Sequence, residues 1–172
     1  AGRPLAGLPN WQLVALAAGL GQLPSGTQHT ALGQELRSGS DATRQRWLAA
    51  LAAAHLHLPP AAQARLRAMG EALVAATPPG EHRRHLVNSG LDDLATLGAV
   101  APGVAESERA LKADPTGRGR RNNLGYARLL AGQPPLTVLA FVGPEFAGQR
   151  GGSAHALLDT VATALGRLGR LA

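Results

Sequence analysis

A chain of 172 residues has room for one globular domain or a short repeat array, and 45% hydrophobic against 16% charged residues excludes general disorder. The apolar share is mostly Ala and Leu, with 3% aromatics and no cysteine, so strands, disulfides and thiolate chemistry are all disfavoured and an all-α chain is expected. Seventeen Lys and Arg against 11 Asp and Glu give a net charge of +6, a balance that draws acidic partners and, by itself, chooses none.

In chain order, Pro9-Asn10 opens a helix over Leu8 to Leu23 with Leu13, Leu16 and Leu20 on one stripe, and Thr27 to Arg37 carries Leu32 and Leu36. Asp41 is read as the cap of a helix reaching His55, with Trp47, Leu48, Leu51, Ala50, Ala53 and Ala54 on its apolar face and Arg44, Gln45 and Arg46 opposite. Pro59-Pro60 starts a helix to about Ala76 that buries Leu66, Met69 and Leu73. Glu81 to about Val100 reads as a helix with an interruption at Ser89-Gly90, and Pro102-Gly103 starts its partner, Val104 to Lys112. Past Ala113-Asp114-Pro115 and a loop with Arg118, Arg120 and Arg121, the spacing predicts helices over Asn122 to Ala131 and from Pro134-Pro135 to Gly143-Pro144, where the second is expected to stop. Last, Ser153 caps His155 to Leu171, with Leu157, Val161, Ala164 and Leu168 aligned. The helices pair into hairpins at roughly 9–39, 41–78, 81–114 and 117–150, with a final helix at 153–171, and a recurrence of about 32 to 40 residues is the mark of a single degenerate α-solenoid over 1–172.

The stretch ALKADPTGRGRRNNLGYARLLAGQ, Ala110 to Gln133, resembles the junction between two tetratricopeptide repeats. In the family's motif of about 34 residues, Gly132 takes the mid-repeat glycine, Leu124-Gly125 the Leu-Gly pair and Phe141 the large apolar position of the second helix. One repeat earlier Pro115, Ala110 and Gly98 fall on motif positions; one repeat later Gly169 and Val161-Ala162 do. Arg128 stands where Tyr is usual and Thr137 where Ala is, and residues 1 to 80 lack the motif, so the likeness covers about half of the chain. The resemblance implies a short TPR-like solenoid whose inner face binds a protein or peptide, an acidic one given the charge. Carried over by position, that face includes Asn122, Tyr126, Leu129 and Asp159, with Arg118, Arg120 and Arg121 adding contacts to acidic groups. Asn122 and Tyr126 replace the Lys and Asn with which some members clamp a C-terminal carboxylate, so that mode is not implied.

No Gly-x-Ser-x-Gly or His-Glu-x-x-His occurs, and the adjacent Asp92-Asp93 point in different helical directions, so a non-enzymatic scaffold without catalytic residues or cofactor is expected. A basic helical protein gripping nucleic acid through Arg83, Arg84, Arg118, Arg120 and Arg121 is the alternative, although Trp11, Trp47 and Tyr126 are too scattered to stack bases. A metal sensor built from His55, His57, His82 and His85 is a further one, with no assigned metal ligands. The longest apolar run, Leu13 to Leu20, is far below the roughly 20 residues of a membrane span. A start at Ala1 leans towards export with the cytoplasm left open, and the last helix is expected to close the array or to join a larger assembly.

Overall fold

A computed structural model describes residues 39–56, 58–117, 119–146 and 154–169. Among them are eight α-helices and no strand, so the described residues are all-α. The two helices expected over Leu8 to Leu23 and Thr27 to Arg37 lie outside the described residues. The chain divides at Pro102 into two compact units, and the stretch read as one hairpin over 81–114 is split between them.

The first unit begins with α1 (Asp41–His55) and α2 (Pro60–Ala76), joined by the four residues 56–59 and packed as a hairpin. The cap of α1 is Ser40, one residue before the expected Asp41: its hydroxyl accepts from the Thr43 amide at 3.2 Å, leaving Asp41 in the first turn, where an acid suits the helix dipole. Pro60 occupies the first turn of α2, where its missing N–H is harmless. Leu66 and Leu73 are buried as expected and Met69 is half-buried. Next come α3 (Glu81–Ser89) and α4 (Leu91–Thr96), divided at Gly90, both packing on α1 and α3 touching α2. A side chain at Gly90 would strike Leu48 and the Leu86 carbonyl, which explains a glycine at the break. Arg83 closes the end of α2, its guanidinium donating to the carbonyls of Thr77 at 2.7 and 3.0 Å and of Ala75 at 3.0 Å.

Arg44 was expected on the solvent face and is instead buried at 4% exposure. It shares a stripe with Trp47, Leu48 and Leu51, so its stem packs with them while its head donates to Asp41 at 2.9 Å. His82 of α3 meets the same carboxylate, with Nδ1 at 3.0 and 3.1 Å from the two oxygens. The hydrogen bond from His82, then its charge and the Arg44 contact, hold the Asp41 carboxyl below 3.8 against a desolvation that would raise it. A carboxyl depressed in the folded state stabilises above its ordinary value and loses that contribution as pH falls through the lower folded value. Asp41→Asn is therefore expected to lower the melting temperature at neutral pH, and wild type and variant should converge as pH drops below 3.8. A gap that persists in acid would assign the effect to something other than ionisation. Asp93 is shifted the other way, raised first by burial and then by the charge of Asp92.

The second unit carries α5 (Ala101–Ala113), all but its first two residues, then α6 (Arg120–Leu130), α7 (Pro135–Phe146) and α8 (Ala154–Arg167). The connection 131–134 folds α7 back on α6, and α8 packs across both. Leu129, Val138, Val142 and Ala164 form a core cluster flanked by Leu139 and Phe141. Gly132, at φ +88°, ends α6 in a left-handed turn: its amide bonds to the Leu129 carbonyl and that of Gln133 to the Arg128 carbonyl, both at 3.0 Å. Gly98, at φ +69°, ends α4 with the same pair of bonds, Gly98 to Ala95 at 2.9 Å and Ala99 to Leu94 at 2.8 Å. The expected stop at Gly143-Pro144 does not occur, and α7 runs through Pro144 to Phe146. An interior proline costs one amide donor and crowds the carbonyl four residues back, but here it lies near the helix end, beyond the turns that Val138 and Val142 anchor.

Candidate partner-binding surface

The loop from Asp114 to Gly119 turns α5 into α6. Asp114 Oδ1 accepts from the Thr116 hydroxyl at 3.1 Å, and Oδ2 meets the Arg120 guanidinium at 3.0 Å. Arg120 also donates to the Ala110 carbonyl at 2.7 Å, so it ties the end of α5 to the start of α6. Gly119, at φ +71°, precedes α6 without any side-chain cap, and the helix opens on two arginines with no acid in its first turn.

Gly125 sits at a close approach of α6 and α7: a Cβ there would collide with Val142, with Val138 at 3.5 Å and Phe141 at 3.8 Å. Small residues at such crossings let helix axes come together. Leu124 is fully packed beside it at 2% exposure. Phe141, half-buried, lies under two guanidiniums, Arg121 at 5.2 Å and Arg128 at 4.8 Å from the ring centre, within reach of a cation–π attraction. Arg128 also binds Glu108 of α5 at 3.0 Å, and Arg121 makes a long contact of 3.5 Å to the Phe141 carbonyl.

Of the residues expected on the binding face, Asn122 and Leu129 are buried at 5% and 0%, on the packed side of α6. Tyr126 is half-buried, Asp159 is exposed on α8, Arg120 and Arg121 are half-buried, and Arg118 lies outside the described residues. The sequence reading missed Arg128, treating it only as a departure from a motif. The signal was present: Arg121 and Arg128 are seven apart, two turns along one helical face.

Among the alternatives, Arg83 is occupied at the end of α2 and Arg84 is half-buried. His82 faces Asp41, His57 lies outside the described residues, and no group of three or more His, Asp and Glu gathers among the described residues. No described helix is long and apolar enough to cross a membrane. What α5, α6 and α7 bring together is arginine, carboxylate and an aromatic ring, a set suited to recognising charge. Comparison with protein-family models, curated proteins and solved structures finds no match.

Proposed function

We propose that the chain is a non-enzymatic scaffold, a degenerate tetratricopeptide-like array that binds a protein or peptide through its helical surface. The observation that carries the reading is an arrangement that occurs twice. In each unit a hairpin with a four-residue connection, α1–α2 or α6–α7, takes the following helix across it. Separately from these hairpins, Gly98 after α4 and Gly132 between α6 and α7 end their helices in the same left-handed turn, 34 residues apart, the period of the repeat that the sequence resembles. Close approach at Gly125 against Val142 is the packing that the motif glycine serves.

Tyr126, Asp159, Arg120 and Arg121 are the residues of the expected face with solvent access, and with Arg118 they make up the proposed contact set. Leu158, 53% exposed on α8, fits an apolar contact with the same partner or with a larger assembly. Nucleic-acid binding is less well supported, because Arg83, on which that reading also relies, is already bonded to the end of α2.

Affinity purification of the tagged chain at low and at high salt tests the proposal. A stoichiometric protein that survives high salt is expected. Nucleic acid alone, lost as salt rises, would overturn it.

A further inference from the structure

From Gly103 to Phe141 three carboxylates have described side chains, and each already holds one arginine: Glu106 with Arg109, Glu108 with Arg128, Asp114 with Arg120. Arg121 has no carboxylate among the described residues. It is instead laid over the Phe141 ring beside Arg128, with a single long contact to a carbonyl. A guanidinium held over a ring keeps less rotamer freedom than one in open solvent, so pairing it with an incoming anion costs less further ordering. It is half-buried, so part of the residue reaches solvent.

We infer that Arg121, seated on Phe141 beside Arg128, is the point at which a glutamate or aspartate of an acidic peptide segment docks. The inference rests on the scaffold reading and names the chemistry of its partner. One unmatched planar cation on an aromatic platform suits a discrete carboxylate, which it can grip with two parallel hydrogen bonds. A nucleic-acid backbone calls for a row of free cations at phosphate spacing, and here Arg109, Arg120 and Arg128 are each matched from within.

The test is fluorescence anisotropy of the full chain with a labelled poly-glutamate peptide, a poly-lysine peptide and a single-stranded oligodeoxynucleotide at one ionic strength. Saturable binding of poly-glutamate is expected, weakened about tenfold by Arg121→Gln, the scale of one charge-assisted contact. Arg65→Gln, at an exposed arginine of α2, should leave it unchanged. Arg121→Lys keeps the charge without the planar fork, should fall between the two, and serves in place of Arg121→Gln if that variant loses its helical circular dichroism. Equal affinity for wild type and the Arg121 variants, no binding of poly-glutamate, or tighter binding of the oligonucleotide would each overturn the inference. A salt-resistant protein partner recovered alongside a negative poly-glutamate result would leave the scaffold standing and remove only this docking point.

Discussion

Replacing Gly125 with leucine is expected to unfold the second unit. Even the first side-chain atom would collide with Val142, which is fully buried and β-branched, so it has no free rotamer to swing into. Relief requires α6 and α7 to separate, and that opens the cluster of Leu129, Val138, Val142 and Ala164. Overpacking in a tight core costs about 1–3 kcal/mol, and a leucine at a helix crossing belongs at or beyond the top of that range. Gly125→Ala is the milder probe: the collision remains, offset in part by the ~1 kcal/mol that alanine gains over glycine inside a helix. Urea unfolding followed by circular dichroism should show the order wild type, Gly125→Ala, Gly125→Leu. An alanine variant more stable than wild type would mean that the helices are not in contact at this point.

Leu48→Ala is the corresponding lesion in the first unit. Leu48 is fully buried, and its methyl groups reach the sites where a side chain would stand at Gly70 of α2 and at Gly90 between α3 and α4. One leucine thus closes the space among α1, α2 and the α3–α4 break. Its truncation removes apolar burial and leaves a cavity, together worth about 2–5 kcal/mol, and glycine neighbours provide no side chains to fill the gap. Trp47, adjacent in sequence and 2% exposed, reports the change through a red-shifted fluorescence at lower denaturant. A midpoint unchanged from wild type would show that Leu48 is not in the core.

Much of this architecture was legible because it is local. Pro60 at a helix start, the Ser89-Gly90 interruption and Gly132 at a helix end each act through their own backbone and a few neighbours, whereas the helix expected to reach about Val100 ends at Thr96, ahead of the left-handed Gly98. The misreadings have a different origin. Asp41 and Ser40 are both good caps, and only the hydroxyl's position on Thr43 separates them. The burial of Arg44 depends on a carboxylate one turn away that His82, 41 residues on, also binds. Continuation through Pro144 depends on the packing of Val138 and Val142 across α6 and α8. At the candidate surface, the repeat motif pointed to Asn122 and Leu129 because it assigns positions by register, whereas the fold buries both. Arg121 and Arg128 stood out only once Phe141, from the next helix, was placed against them.

On the proposed reading, a protein partner is held on the surface formed around α6. Hydrogen–deuterium exchange of the full chain, alone and saturated with the partner recovered at high salt, tests it most directly. Slowed exchange concentrated in residues 114–130 is expected, with the first unit unchanged. Protection confined to α1–α4, or none in α6, would contradict it.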